Sequence, residues 1–239
     1  MIDIILHGCQ GKMGQAVVAA AESIPEVNIV YGVDRNLNDH NSFPVYYPIN
    51  KGPIAGDVII DFSNHDAIPS VLDFAISRNL PLVLASTGLT EMEQNQIREA
   101  SNQIPIFQAP NFSVGINLIA ACMELIIPVL GKKFDIEIID KHHREKKDAP
   151  SGTALQLGQV AKACSNDMKE IGISSLRIGT IPGEHTVIFA GPDEIIELKH
   201  TAMSRDVFAQ GALKAAAFLA GKQPGQYTMK DLIMHQAIQ

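Results

Sequence analysis

The sequence predicts an α/β protein in two parts: a parallel sheet covered by helices, then an α+β portion with a mixed or antiparallel sheet. Two observations predict this. Up to about residue 108, short apolar runs alternate with helical patterns, which is how parallel strands with crossover helices read. Beyond a breaker-rich stretch, strand-like runs follow one another with a tight turn signal and no helix between them. With 46% hydrophobic and 19% charged residues, the 239-residue chain has enough apolar surface for packed cores and too little charge for a disordered one.

In order, Ile2–Leu6 reads as a buried strand, Met13–Glu22 as an Ala/Val-rich helix and Val27–Val33 as a second strand. Residues 36–56, rich in Asn, Pro and Gly, read as a long connection. Asp57–Phe62 is a strand, Ala67–Arg78 a helix and Pro81–Ala85 a strand. Thr90 and Glu93 have the spacing of a capping box, so a helix is predicted from there to about Asn102, followed by strand Ile104–Gln108. Ala109–Gly115 carries Pro, Asn, Ser and Gly and is the predicted hinge. Ile116–Leu130 is apolar nearly all round and is expected to be a buried helix. Phe134–Ile139 is a strand, and Ser151 caps a helix through Ala154–Cys164. Leu176–Ile181, Thr186–Ala190 and Ile195–Thr201 are strand-like, with Gly191-Pro192-Asp193 as a turn, so antiparallel pairing is expected here. Ser204 caps a last helix, Asp206–Leu219, which Gly221 stops.

Several functions are excluded at this level. The charge is −7, with 19 Lys+Arg against 26 Asp+Glu, which disfavours a nucleic-acid partner because such binding rests on clustered cations. Asn117, Glu124 and Pro128 interrupt the longest apolar stretch, so no membrane span is expected. Met1 leads directly into a strand-like run without a charged leader, and the three scattered cysteines form no disulfide framework, so a cytoplasmic location is expected. The partner expected is a small molecule.

Gly8, Gly11 and Gly14 sit between the first strand and first helix. Glycines at such a turn permit positive φ, close approach to a pyrophosphate and tight helix–strand packing, and the helix N-terminus offers N–H groups to phosphate. The spacing is GxxGxxG rather than GxGxxG. Asp34 ends the second strand about 20 residues beyond Gly14, where a carboxylate accepts from ribose hydroxyls. Together they point to a Rossmann-type dinucleotide site. Arg35 favours a 2′-phosphate while Asp34 disfavours one, leaving NADH and NADPH both open.

Lys141-His142-His143-Arg144-Glu145-Lys146-Lys147 concentrates cations in an acidic chain and leads through Ala149-Pro150 into Ser151-Gly152-Thr153 at a helix start. Adjacent histidines in extended chain point to opposite sides, so no metal site is expected. Cations and backbone N–H groups at a helix N-terminus suit a carboxylate, and His or Lys can move a proton.

The string Asp140-Lys141-His142-His143-Arg144, with Lys146 and Asp148-Ala149-Pro150-Ser151-Gly152-Thr153-Ala154, closely resembles the signature of the dihydrodipicolinate reductases, also called 4-hydroxy-tetrahydrodipicolinate reductases. Ser86-Thr87-Gly88, Asn111-Phe112-Ser113-Val114-Gly115, Gly183-Glu184-His185 and Ser204-Arg205 extend the resemblance over essentially the whole chain. Asp34 and Ser86 depart from it, standing where Glu and a second Thr occur in some members.

The resemblance implies NADH- or NADPH-dependent reduction of the small dicarboxylate cyclic imine made by dihydrodipicolinate synthase, on the route to diaminopimelate and lysine. It implies His142 as proton donor/acceptor, Lys146 as a second donor, His143 as a substrate contact, and Gly152 and Thr153 as the carboxylate cradle. Nucleotide contacts are implied at Gly8, Cys9, Gln10, Gly11, Lys12, Met13, Asp34, Arg35, Ala85, Ser86, Thr87, Ala109, Pro110, Asn111 and Phe112. It further implies a dinucleotide domain of residues 1–112 and 205–239, a substrate and oligomerisation domain of 113–204, and a homotetramer joined through the latter. Cys9 reads as a packing residue and His185 as support for the site. A reductase of another imine or aldehyde has no need of the HHRxKxDAPSGT string, and a nucleotide sensor has no need of an acid such as His142 or Lys146.

Overall fold

The computed structural model describes residues 1–37, 41–53, 55–164 and 171–238. The chain divides into two units, Met1–Phe112 with Phe208–Gln239, and Ser113–Val207. The return to the first unit thus begins at Phe208, inside the last long helix.

The first unit contains β1 (Ile2–His7), α1 (Lys12–Ala21), β2 (Val27–Val33), β3 (Val45–Tyr46), β4 (Val58–Asp61), α2 (Ile68–Arg78), β5 (Leu82–Leu84), α3 (Glu91–Ala100) and β6 (Pro105–Gln108). After the second unit the chain supplies most of α6 (Asp206–Leu219), β11 (Gly225–Tyr227) and α7 (Met229–Ile238). The second unit itself holds α4 (Val114–Leu130), β7 (Asp135–His142), α5 (Gly152–Cys164), β8 (Gly172–Arg177), β9 (Gly183–Ala190) and β10 (Ile195–Ala202).

In the first unit seven strands lie in the order β11-β6-β5-β4-β1-β2-β3, all parallel. Strand order reverses between the neighbours β1 and β4, which makes their carboxyl ends a natural ligand crevice. The strands are near-continuous apolar runs because helices cover both faces. Ile5, Ile59, Leu82, Leu84 and Ile106 are buried with Val71 and Ala75 of α2 and Ile97 of α3. The capping box predicted at Thr90 forms: Glu93 N donates to Thr90 Oγ1 at 3.3 Å, and Thr90 N donates back to Glu93 Oε2 at 2.6 Å.

The connection predicted over residues 36–56 contains β3 and a 3-10 turn, Ile49–Lys51; its residues 38–40 and 54 lie outside the described residues. β3 is two residues long and pairs with β2 at the edge, too short to give a periodic signal. β11 and α7 lie outside the elements the sequence predicts; β11 is three residues and follows a Lys-Gln-Pro stretch that reads as a loop.

The second unit is a four-stranded sheet, β10-β9-β7-β8. β9 runs antiparallel to both neighbours, but β8 is parallel to β7. The antiparallel expectation for the first of the three runs is therefore corrected, as is its range, which is Gly172–Arg177. The cause is α5, which carries the chain back over the sheet as a crossover. One sheet face packs Ile136, Ile138, Val187 and Phe189 against Ile119, Met123 and Ile127 of α4 and Leu157 of α5.

The expectation that α4 is buried throughout is also corrected. Its Ile119–Met123–Ile127 stripe is in the core, whereas Leu118, Leu125 and Val129 are exposed. Length and composition alone would let residues 114–133 cross a membrane, but this helix packs against α5 and β10.

Candidate active site

In the first unit the β1–α1 turn is built on two close approaches. Gly8 has φ +78°, and a Cβ there would sit 2.8 Å from the Phe62 carbonyl group. A Cβ on Gly14 would drive into the Gly8 carbonyl oxygen and meet the Cys9 backbone at 2.7 Å. Only glycine lets α1 start this close to β1. Gly11 is the residue before α1, and the first N–H groups of that helix have no intrahelical acceptor, which suits a phosphate.

A cleft of about 400 Å³ opens beside this turn, lined among others by Gly8, Gly11, Asp34, Arg35 and Asn64. Asp34 shapes it: its Oδ2 accepts from Gln10 N at 3.0 Å and its Oδ1 from Asn36 N at 3.0 Å. Cys9 is wholly buried. Its sulfur fills the space beside Gly32, where a Cβ would lie 2.5 Å away, and burial, then Asp34, pushes the thiol up to about 11. It packs the loop rather than facing the cleft. Ser86, Thr87, Ala109 and Pro110 line a second cleft with Gln94 and Tyr227, while Phe112 is buried against Phe62 and Phe107.

Behind both loops lies a group not singled out from sequence. Asp61, fully buried at the end of β4, has Oδ1 2.9 Å from His7 Nδ1 and 3.1 Å from Ser63 N, and Oδ2 2.7 Å from Ser86 Oγ. Burial alone would raise its pKa, yet the contacts with His7, Ser63 and Ser86 hold the carboxyl below its ordinary range. The signal available in sequence was an acid closing the apolar run Asp57–Phe62.

In the second unit β7 alternates, so Asp140 and His142 face the helices while Lys141 faces away. Asp140 is fully buried beside His185 of β9. The His142 and His185 rings meet edge to face, 5.2 Å between centroids. His142 Nδ1 is buried without a hydrogen bond, 3.9 Å from Asp140 Oδ1. Burial, then the Lys146 charge, lowers the His142 pKa; burial, then His142, brings His185 down to about 4.

The cationic run does not act as one block. Lys141 Nζ pairs with Glu184 at 2.6 Å, where Lys199 adds a second contact at 2.9 Å, and these two lysines pull Glu184 down to about 2. Lys146 Nζ pairs with Asp148 at 2.9 Å, and His143 is half-buried. Ser151 caps α5: its Oγ accepts from Ala154 N at 3.2 Å and lies 3.0 Å from His185 Nε2. At Gly152 a Cβ would meet nothing within 4 Å, so the start of α5 opens onto free space.

Asp140, His142 and His185 place ligand atoms within 4.8 Å of one another. The carboxylate is already committed, however, Oδ1 to Arg177 Nη1 at 2.7 Å and Oδ2 to Ser151 N at 2.6 Å. A guanidinium at that distance opposes a dication, so the cluster is a poor fit for a metal ion.

A parallel sheet with a glycine turn at its switch point, joined to a unit holding a buried His beside a helix N-terminus, defines a nicotinamide-dependent oxidoreductase. The family model for "Dihydrodipicolinate reductase, N-terminus" matches residues 2–112, and that for "Dihydrodipicolinate reductase, C-terminus" matches 115–233. The chain belongs to the dihydrodipicolinate reductase family. It is 47% identical to the 4-hydroxy-tetrahydrodipicolinate reductase of Caldanaerobacter subterraneus subsp. tengcongensis and 44% identical to that of Clostridium novyi, covering 98% of both chains in each comparison. Among solved structures, a dipicolinate-bound dihydrodipicolinate reductase from Paenisporosarcina sp. TG-14 shares the fold with TM-score 0.85 at 22% identity, over 95% of this chain and 97% of that one. A myo-inositol dehydrogenase from Corynebacterium glutamicum shares it with TM-score 0.64 at 13% identity, covering 100% and 94%.

Proposed function

We propose that the chain reduces 4-hydroxy-tetrahydrodipicolinate to tetrahydrodipicolinate with NADH or NADPH, His142 and Lys146 managing the proton. The observation that carries this is His142, buried at the end of β7 beside Lys146, in the same unit as an α5 N-terminus that faces open space. Gly8, Gly11, Asp34 and Arg35 fit a dinucleotide, because the turn has no Cβ to obstruct a pyrophosphate and the cleft ends on a carboxylate and a guanidinium. The nicotinamide, when bound, supplies a hydride. Asp34, held by two backbone N–H groups, accepts from ribose hydroxyls, while Arg35 can pair with a 2′-phosphate.

The remaining work falls to this chain's own groups. The N–H groups of Gly152 and Thr153 hold a substrate carboxylate at the positive end of α5, with His143 beside them. Charge developing on the substrate as it is reduced must be met by a proton. His142 is mostly neutral at pH 7 because its pKa is lowered, so each proton it takes up makes it a strong acid toward the substrate. Lys146, next to it in charge, is the second source. The dipicolinate-bound neighbour supports a planar dicarboxylate as the ligand class. The chain is proposed to assemble as a homotetramer through this unit, for which the exposed Leu176, Ile178 and Ile195 are candidate contacts.

The test couples the purified chain to dihydrodipicolinate synthase, pyruvate and aspartate semialdehyde, and follows nicotinamide absorbance with each nucleotide. Oxidation of at least one is expected; none with either overturns the assignment. His142→Gln should lower kcat by ~10²–10⁴ while KM changes little, since the group lost is a transition-state proton donor. A raised KM at unchanged kcat would contradict that role.

A further inference from the structure

We infer that Arg177 and Asp140 form a clamp that aims the start of α5, making both positioning residues for substrate binding; this rests on the substrate reading above. Arg177 stands at the end of β8, paired with His142 across the parallel β7–β8 ladder. Its Nη1 donates to Asp140 Oδ1 at 2.7 Å and its Nη2 to the Asp148 carbonyl oxygen at 2.6 Å. From the other side, Asp140 Oδ2 accepts from Ser151 N at 2.6 Å. One ion pair therefore grips the segment 148–151 at both ends, its leading carbonyl and its closing N–H.

The consequences reach both proposed functions of that segment. Upstream, Asp148 is the residue whose carboxylate pairs with Lys146 Nζ, so fixing its backbone also fixes Lys146. Downstream, Ser151 is the cap from which Gly152 and Thr153 start α5. With its N–H on Asp140 and its hydroxyl between Ala154 N and His185 Nε2, it has one orientation. Arginine is required because its planar fork reaches a carboxylate and a carbonyl together; an ammonium is a single point donor.

Stability alone does not account for the pair. Asp140 is fully buried, and a buried ion pair is often no more stabilising than apolar residues of similar volume. What an apolar pair could not do is hold a carbonyl and an N–H of the same loop.

The test uses the full-length chain, Arg177→Lys and Arg177→Ala. Amide exchange at Ser151 reads the clamp directly, and titration with dipicolinate reads the cradle. In Arg177→Lys, Ser151 protection should fall about tenfold or more, because the flanking contacts become singly held. Dipicolinate affinity should fall about 10- to 100-fold, the size of effect a small misplacement of positioned groups produces. NADH and NADPH affinities should stay within about twofold, since no nucleotide contact is touched. In Arg177→Ala, millimolar methylguanidinium should restore part of the dipicolinate binding, which a generally loosened fold would not allow. Unchanged Ser151 protection overturns the clamp, and so does a loss of nucleotide affinity as large as the loss of dipicolinate affinity. If the wild-type chain neither binds dipicolinate nor oxidises either nucleotide, the substrate reading fails by itself, and Ser151 exchange still decides whether the clamp exists.

Discussion

Replacing Asp61 separates a hydrogen-bond account of the first unit from a generic core account. Its carboxylate joins three loops: the glycine turn through His7, the loop after β4 through Ser63 N, and the loop after β5 through Ser86. In Asp61→Ala, Ser86 can still donate to the Ser63 carbonyl at 3.1 Å, so two things are lost: the acceptor of the Ser63 N–H, and the 2.9 Å ionic contact of the buried His7 ring, whose Nδ1 makes no hydrogen bond. At ~1–3 kcal/mol for each loss, the cost is about 4 kcal/mol. Asp61→Asn keeps an acceptor toward Ser63 and a donor toward the Ser86 oxygen. It loses only the charge assistance, roughly half the strength of such bonds, or about 1–2 kcal/mol. For a chain of this size those figures correspond to melting shifts of about 8–16 °C and 2–8 °C. Urea titration at neutral pH checks the order, and nucleotide titration should weaken in the same order, because the loops that Asp61 joins are the ones lining the clefts. The sign with pH follows. Because the folded carboxyl sits below its ordinary 3.8, its contribution is complete above that value and disappears as pH falls through the folded pKa, so the gap between wild type and Asp61→Ala closes in acid. Equal losses in the two variants, or a gap that widens on acidification, would refute the reasoning.

Other consequences are simpler. Gly14→Ala places a Cβ against backbone atoms of Gly8 and Cys9, which cannot rotate away. It should destabilise the first unit by ~1–3 kcal/mol and weaken nucleotide binding more than tenfold, read by calorimetry and nucleotide titration. Glu184, held at about 2 by Lys141 and Lys199 against an ordinary 4.5, contributes stability that is complete above about pH 4.5 and lost as pH falls toward 2. Acid unfolding of Glu184→Gln should lack that part of the slope, and an identical slope would show the three charges to be uncoupled.

The parallel sheet was legible because its strands are apolar runs separated by helical patterns, and the capping box and the Ser151 cap were legible because their chemistry is local. What escaped depended on partners distant in sequence. β3 and β11 are two and three residues long and exist only as additions to the edges formed by β2 and β6. The direction of β8 followed from a crossover by α5, not from the composition of the strand. α4 was expected to be buried from its apolar surface alone, but a helix on one face of one sheet has only one side to bury, and Leu118, Leu125 and Val129 fall on the other.

The same reasoning changes how the cationic run should be understood. Counted along the chain, Lys141–Lys147 is a block of positive charge. Folded, the alternation of β7 sends Lys141 to the far face, where Glu184 neutralises it, and Lys146 is matched by Asp148. What the fold offers a dicarboxylate therefore depends less on the number of lysines than on direction: a helix start that faces open space, a buried imidazole whose pKa is lowered by burial and by Lys146, and a β8 guanidinium that appears in no motif and is paired with Asp140 behind that helix start. Motif reading finds residues that touch a ligand because their spacing is local. It passes over Arg177, which lies between Leu176 and Ile178 in what looks like an ordinary strand, because its role is created by the register that sets it across from His142 and within reach of Asp140.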